Sequence, residues 1–235
     1  MRVVAIGAHP DDVELTCGGL VAKLGSMGHD VRLSDLTSGE LGSSGNEKTR
    51  ALESAKAASI LGVSSRECCG LPDGGLDHSN VQQVKTVVEL IRRHRPSLVL
   101  GPYRHSRHPD HVEASEMIRR GVFLAGLRRF DASGRPHGLV SILYYMGDVH
   151  FVPSFIVDVG KFFKKKMKAV RVYRSQFERN RPDSYPTRLN RAGFMDLIEA
   201  RAKYLGGLIG AEYGEGFLYE GSLRVDDPTL LVGGR

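Results

Sequence analysis

The chain has 235 residues, 41% of them hydrophobic, and is long enough to form one large domain, residues 1–235, with a sizeable core. No stretch is long and charge-free enough to span a membrane, and the N-terminus lacks the basic and apolar segments of a signal peptide. We therefore expect no membrane partner. The three cysteines are odd in number and two are adjacent, which argues against a disulfide framework and favours a reducing, cytoplasmic location.

The net charge of +6 fits an acidic partner, either nucleic acid or a small anionic substrate, and equally an ordinary solvated surface. The densest basic run, residues 161–168, contains Phe162 and Phe163, which favours an amphipathic helix whose lysines face water. No recognisable nucleic-acid-binding motif accompanies the charge, so we expect no nucleic-acid partner. We take the charge as a modest indication of a small anionic substrate.

Short β-branched runs alternate along the chain with segments of helical periodicity. The runs predict strands over residues 3–6, 30–37, 67–71, 97–101, 140–146 and 154–159. The periodic segments predict helices over residues 13–27, 47–61, 81–93, 109–129, 161–174 and 194–208. This alternation predicts a Rossmann-like, doubly wound α/β fold, with a mostly parallel sheet and helices on both faces. We expect residues 180–190 to form a surface loop, and residues 216–225 to form an edge strand or extended arm in a C-terminal extension.

Two clusters of polar residues follow two of these strands. The clusters consist of His9, Asp11, Asp12, His105, His108, Asp110 and His111. In an open parallel sheet both strand ends lie at the same edge, which is where ligands bind. Two neutral imidazoles and a carboxylate suit Zn²⁺ and leave at least one coordination position open for water and substrate.

Each cluster also has a structural alternative. Asp11 or Asp12 can simply cap the first helix, and the second cluster can be a surface turn. Because both clusters follow predicted strands, we favour a shared metal site. Three positions separate His108 from His111, so they share one helix face, and only one of them needs to bind the metal. The first strand exit lacks the G-x-G-x-x-G spacing and its carboxylate pair would repel a pyrophosphate, which argues against a dinucleotide site.

Residues 8–12, Ala-His-Pro-Asp-Asp, and residues 108–111, His-Pro-Asp-His, resemble the two signature motifs of the PIG-L-type (LmbE-like) zinc-dependent N-deacetylases. Further matches to that family's pattern are Gly18-Gly19, Thr37-x-Gly39-Glu40 and Arg50-x-x-Glu53. Residues 71–74, 173–177, 198–202 and 214–217 resemble the branch that deacetylates N-acetylglucosaminyl malate in bacillithiol biosynthesis.

The resemblance implies a role for each residue of the two clusters. It implies a metal-binding set of His9, Asp12 and His111. It implies Asp11 as general base and His108 as the group that stabilises the oxyanion or acts as acid, with Asp110 orienting His108. On physical grounds we expect Asp110 also to raise the pKa of His108. Zn²⁺ would lower the pKa of a bound water to about 7 and polarise the acetamide carbonyl. Fe²⁺ also suits such a ligand set.

Arg50 and Arg107 are the candidates for binding an anionic part of the substrate, since a guanidinium can hold a carboxylate through two hydrogen bonds. Arg50 can equally form an ion pair with Glu53 on its own helix. Asp73 can bind sugar hydroxyls or serve only as a turn residue.

Ser106 stands where some family members have a tyrosine that helps to polarise the carbonyl. Either Arg107 contributes in its place, or His108 works with the metal alone. Tyr173 and Gln176 can close the pocket or only pack the C-terminal segment.

The leading hypothesis is therefore a metal-dependent hydrolase that removes acetyl from an N-acetylglucosaminyl conjugate, most simply the malate conjugate. The alternatives are a deacetylase of chitooligosaccharides or of an inositol conjugate, and a sugar-binding module that keeps the fold without turnover. The intact set of Asp11, Asp12, His108 and His111 argues against the binding module. The family resemblance suggests a homo-oligomer, and residues 217–223 are a plausible contact, although an edge strand within the chain explains them equally well.

Overall fold

The computed structural model of the chain describes residues 1–182, 184–222, 225–227 and 229. Its strands are β1 (Arg2–Gly7), β2 (Asp30–Thr37), β3 (Ser65–Leu71), β4 (Leu98–Pro102), β5 (Ser141–Tyr145), β6 (Phe155–Asp158) and β7 (Gly214–Leu218). Its helices are α1 (Asp12–Ser26), α2 (Glu47–Leu61), α3 (Val81–His94), α4 (Pro109–Ala125), α5 (Gly160–Val170), α6 (Arg174–Phe177) and α7 (Phe194–Gly207). No helix within the described ranges has both the length and the apolar character needed to cross a bilayer.

The strands form one seven-stranded sheet in the order β3-β2-β1-β4-β5-β7-β6. Strands β1 to β5 are parallel, and β7 runs antiparallel to both of its neighbours. The chain moves outward from β1 to β3 on one side and then returns to build β4 and β5 on the other. The loops after β1 and β4 therefore diverge at a topological switch point, the place where open α/β sheets bind ligands.

Helices cover both faces of the sheet, as the alternation of elements predicted. Val3 and Ala5 of β1 face a core cluster shared with α1, α2 and α5. Val4 and Ile6 face the opposite cluster, formed with α3 and α4. Because successive side chains of a strand point to opposite faces, an uninterrupted apolar run marks a strand buried on both sides. The prediction of a doubly wound, mostly parallel α/β fold is confirmed.

Two helix boundaries differ from the predictions. Helix α4 ends at Ala125 rather than near residue 129, and the helix predicted over 161–174 divides into α5 and the short α6. The guanidinium of Arg92 stabilises the turn after α4, because it donates to the carbonyls of Ala125, Leu127, Phe130 and Ala132. This guanidinium comes from α3, far away in sequence, so helical periodicity alone does not reveal the end of α4.

The C-terminal strand also differs from its prediction. The sequence predicts an edge strand or arm over residues 216–225, but β7 ends at Leu218 and is paired on both sides. Phe217 pairs with Tyr145 of β5 and Phe155 of β6, and its side chain is fully buried. Alternating hydrophobicity reports a buried face but not the number of neighbouring strands. Residues 223 and 224 lie outside the described residues, and the oligomeric contact predicted for 217–223 stays a prediction.

Helix α1 is interrupted at its centre. Cys17 has non-helical backbone angles, φ −126° and ψ 18°. Beside this residue, the N–H groups of Gly19 and Leu20 donate to the carboxylate of Glu215 on β7, at 2.9 and 2.7 Å. A Cβ atom on Gly19 would lie 2.9 Å from Glu215 Oε1, so only glycine lets the carboxylate approach this closely.

Two basic side chains bind the carbonyl groups released by this interruption. Lys166 Nζ donates to the Thr16 carbonyl at 3.1 Å and to Glu215 Oε1 at 2.7 Å. Arg201 of α7 donates to the Leu15 carbonyl at 3.3 Å. The first half of α1 begins with Asp12, the last residue of the first polar cluster. Residues from the C-terminal third of the chain thus hold this half of the helix in place.

Candidate active site

The loop after β1 is held in place through its own carbonyl groups. Tyr145 donates to the Ile6 carbonyl at 2.9 Å, and Thr37 Oγ1 donates to the Ala8 carbonyl at 2.9 Å. Arg50 donates to the Pro10 carbonyl at 2.5 Å. These contacts hold buried main-chain acceptors at the end of β1 and in the loop that follows it, which favours a single conformation of the loop.

The structure brings both sequence clusters together at this edge. The carboxylate of Asp12 lies between two imidazoles, with Oδ2 3.6 Å from His9 Nδ1 and Oδ1 3.1 Å from His111 Nε2. The His108 ring packs against both, at centroid distances of 4.7 Å from His9 and 5.1 Å from His111. His105 makes its ring contact elsewhere, with Tyr103 at 5.2 Å.

The two imidazoles beside Asp12 are each fixed through their second nitrogen. His9 Nε2 lies 3.0 Å from Asp73 Oδ1 and 3.2 Å from Asp110 Oδ2. His111 Nδ1 lies 3.2 Å from the hydroxyl of Ser106. Histidine ligands of metals are held in this way, with one ring nitrogen on a hydrogen-bond acceptor and the other on the metal.

Charge reinforces this arrangement. Burial alone would raise the pKa of Asp12, but the imidazole of His111 and then that of His9 hold it well below its usual range. Burial alone would lower the pKa of His9, yet hydrogen bonds to Asp110, Asp12 and Asp73 raise it to about 12. The carboxylates therefore favour positive charge at this point, and a divalent cation can replace the imidazole protons.

The donor atoms fit a metal ion. One nitrogen from each of His9, His108 and His111 lies within 4.8 Å of the other two, and Asp12 supplies a carboxylate between two of the rings. Imidazole and carboxylate ligands in this number suit Zn²⁺, and they also suit Fe²⁺.

Asp11 is a strained, buried carboxylate beside these groups. Its φ of 111° lies in the left-handed region, and although it occupies the N-cap position of α1, its side chain makes no capping hydrogen bond. Burial raises its pKa to about 7, with Arg50 opposing and Asp12 adding to the shift. The carboxylate is thus free to exchange a proton near neutral pH, as a general base requires.

The relation between Asp110 and His108 differs from the expectation. The Asp110 carboxylate accepts a hydrogen bond from the Gly74 N–H at 2.7 Å and faces His9, whereas the Asp110 backbone N–H donates to His108 Nδ1 at 3.3 Å. This contact still orients the His108 ring and places its proton on Nε2. Burial, followed by repulsion from His9 and His111, lowers the pKa of His108 instead of raising it, which favours a neutral hydrogen-bond donor.

Ser106 contacts His111 directly and connects it to Asp148. Its hydroxyl donates to Asp148 Oδ1 at 2.8 Å while facing His111 Nδ1. The serine therefore orients His111 and does not occupy the place of a tyrosine above the substrate carbonyl.

The two arginines predicted to bind substrate have different surroundings. Arg50 is buried and donates to the Gly39 and Pro10 carbonyls, with Asp11 Oδ2 at 3.5 Å from Nη2. The alternative partner Glu53 instead accepts hydrogen bonds from Ser175. Arg107 is exposed, and its Nε lies 3.7 Å from Asp148.

Asp73, Tyr173 and Gln176 all have protein partners. Asp73 Oδ2 accepts from the Leu41 N–H at 2.9 Å while Oδ1 faces His9, and the side chain lines the cavity. Tyr173 is fully buried and donates to Glu14, so it packs the core rather than closing the pocket. Gln176 donates to the Ser44 carbonyl and also reaches the cavity wall.

A cavity of about 620 Å³ opens above the polar cluster and is lined by both motifs. The predicted surface loop contributes its wall at residues 186–189, and α7 contributes Arg201. Sequence reasoning missed Arg188, Arg201 and Asp148. The only available signals were the arginine-rich composition of the loop and the motif-like stretch at 198–202.

Comparisons with known proteins agree with this geometry. Residues 4–121, half of the chain, match the family model described as PIG-L: GlcNAc-PI de-N-acetylase. The chain belongs to this family. It is 29% identical to the diacetylchitobiose deacetylase of Thermococcus kodakarensis, over 93% of this chain and 82% of that protein.

Two further relatives extend the comparison. The 1D-myo-inositol 2-acetamido-2-deoxy-alpha-D-glucopyranoside deacetylase of Corynebacterium efficiens is 30% identical, over 61% of this chain and 53% of that protein. The crystal structure of a conserved protein of Thermus thermophilus superposes with a TM-score of 0.86 and 35% identity, covering 95% of this chain and 97% of that one.

Proposed function

We propose that this protein is a metal-dependent deacetylase that removes the N-acetyl group from an N-acetylglucosaminyl conjugate with an anionic aglycone, with N-acetylglucosaminyl malate as the substrate. One observation carries the proposal: a buried carboxylate, Asp11, with a pKa of about 7, adjoins a metal-binding set on the cavity floor. Family membership and the activities of the two deacetylase relatives support the same reaction class.

His9, Asp12 and His111 would hold the metal. Their carboxylate and imidazole atoms face one another, and the remaining ring nitrogens are fixed by Asp110, Asp73 and Ser106. When bound, the ion supplies a Lewis acid that acidifies water and polarises the acetamide carbonyl.

The protein's own groups carry the proton transfers. Asp11 accepts a proton from the attacking water and returns it to the departing amine, since its pKa lies near the working pH. Arg50, 3.5 Å away, keeps enough positive charge beside Asp11 for the carboxylate to ionise at neutral pH. His108, with its proton on Nε2, donates a hydrogen bond to the developing oxyanion, a contribution on the order of 3 kcal/mol for such donors.

The second candidate function is deacetylation of an uncharged conjugate, such as a chitooligosaccharide or an inositol glycoside. The activities of the two deacetylase relatives, on diacetylchitobiose and on an inositol glycoside, favour this candidate. A sugar-binding module without turnover is disfavoured, because Asp11 keeps its raised pKa and its place beside the metal set.

The test combines metal analysis with a substitution at Asp11. We expect the purified protein to carry Zn²⁺ or Fe²⁺ and to hydrolyse N-acetylglucosaminyl malate. Asp11→Ala should keep the metal content but reduce kcat by about two to four orders of magnitude, the usual contribution of a general base. If Asp11→Ala keeps its turnover, the role of Asp11 as general base is disproved. If the purified protein contains no metal and no added metal activates it, the proposed deacetylase activity is disproved.

A further inference from the structure

Three arginines from separate segments converge on one turn of the cavity wall. The turn is Gly147–Asp148, just after β5. Arg107 Nε and Arg188 Nη1 lie 3.7 and 3.6 Å from the same oxygen, Asp148 Oδ2. Arg201 Nη1 donates to the Gly147 carbonyl at 2.5 Å. All five residues line the cavity.

This wall has more positive than negative charge. Two guanidiniums approach one carboxylate and a third binds the carbonyl group beside it, while that carboxylate also accepts hydrogen bonds from Ser106 and from the Arg107 N–H. The hydrogen bonds of Arg201 go to carbonyl groups, and within the described part of the chain no carboxylate lies at ion-pair distance from it. Glu215 and then Asp148 exert the acidic influence on Arg201, and Glu215 is already paired with Lys166 at 2.7 Å. A guanidinium left without a carboxylate in a cavity favours an anionic ligand.

Arg50 does not compete for this role. Its guanidinium is committed to two carbonyl groups and Asp11, and only Nε lacks a partner among the described residues. An anionic part of the substrate therefore finds available donors on the Gly147–Asp148 side of the cavity and not on the Arg50 side.

We propose that Arg107, Arg188 and Arg201 form an anion subsite that binds the carboxylate groups of the substrate's aglycone. The inference rests on the proposed function, because it assigns the recognition of the anionic aglycone to particular residues. Arg188 is the specificity-determining residue that the sequence does not reveal. Malate has two carboxylates, and each can accept paired hydrogen bonds from a guanidinium.

The test compares two substrates in matched variants. The ratio of kcat/KM for N-acetylglucosaminyl malate to kcat/KM for methyl N-acetylglucosaminide is measured for the wild type, Arg107→Gln and Arg188→Gln. We expect the ratio to fall about tenfold or more in each variant, since each loses hydrogen bonds to a charged group. Arg191→Gln is the control, because Arg191 is exposed on the same segment and does not line the cavity. Its ratio should equal that of the wild type.

Two outcomes would overturn the subsite. An unchanged ratio in Arg107→Gln and Arg188→Gln would leave deacetylation standing and refute the assignment, as would a wild-type preference for the neutral glycoside. If neither compound is hydrolysed, the proposed function fails, and calorimetric titration with malate still tests the subsite. The subsite is then supported if malate binds more weakly to Arg188→Gln but not to Arg191→Gln. Equal malate binding by the wild type and both variants refutes the subsite.

Discussion

The buried ion pair between Lys166 and Glu215 makes a strong prediction about stability. Both side chains are almost fully buried, at 2% and 4% exposure. Glu215 also accepts the two N–H groups released by the interruption of α1. The substitution Glu215→Gln keeps the shape of the side chain but removes its charge, so Lys166 is left as a buried cation without a counterion.

The expected loss is large relative to the stability of a domain. Removing one partner of a buried pair costs about 3–5 kcal/mol, out of a total unfolding free energy of about 5–15 kcal/mol. For a chain of this length, that loss corresponds to a fall in Tm of roughly 6–20 °C. An exposed pair on α7, Glu199 and Lys203 at 2.8 Å, provides the control, because solvent screens exposed pairs and they contribute little to stability.

Urea denaturation followed by circular dichroism measures the effect, since the chain has no tryptophan. Glu215→Gln should lower the free energy of unfolding by several kcal/mol, and Glu199→Gln should change it little. Adding Lys166→Met to Glu215→Gln should restore much of the loss, because the uncompensated charge is then gone. If Glu215→Gln costs no more than Glu199→Gln, the pair does not hold the interrupted helix.

Three further predictions concern the loop after β1 and the Arg50 side chain that supports it. Activity should fall as the pH drops through about 7, because Asp11 must be ionised to accept a proton, and Arg50→Gln should move this limb to higher pH by about one unit or more. At Asp11, where φ is 111°, the Asp11→Gly variant should be more stable than Asp11→Ala by about 1–2 kcal/mol. This order is the reverse of the one at an ordinary helical position, and urea denaturation of the two variants measures it. Gly39→Ala should destabilise the protein and reduce turnover more than the control Gly28→Ala. Both glycines have positive φ, but only a Cβ atom at Gly39 would collide with Arg50, at 2.1 Å from its Nη1.

Local signals in the sequence predicted most of the fold. Helix α2 begins and ends where predicted, because Asn46 caps its first turn and Gly62 adopts the left-handed conformation at its end. Strand β2 also matches its prediction, since both of its faces are buried and its run is bounded by polar residues. Such boundaries depend on residues a few positions apart, so periodicity and capping are sufficient to find them.

Interactions between distant residues explain what the sequence could not predict. The interruption of α1 at Cys17 depends on Glu215, and the inner position of β7 depends on strands far away in the chain. The motifs placed His9, Asp11, Asp12, His108 and His111 in one cluster, as the structure finds. They could not show that the Asp110 carboxylate faces His9, or that Arg188 and Arg201 reach the cavity.

The strained loop after β1 gives several surrounding residues a structural role beside the cavity. A non-glycine residue with φ of 111° costs about 1–3 kcal/mol, and it persists only where its surroundings fix it. Tyr145, Thr37 and Arg50 provide that support by binding the carbonyls of Ile6, at the end of β1, and of Ala8 and Pro10 in the loop. With the backbone fixed, the Asp11 carboxylate turns away from the helix N-terminus, which would otherwise stabilise its charge, and into a buried position that raises its pKa to about 7. In the proposed mechanism, the stability given up at Asp11 supplies a base near neutral pH, and Arg50 would contribute to catalysis by positioning that base.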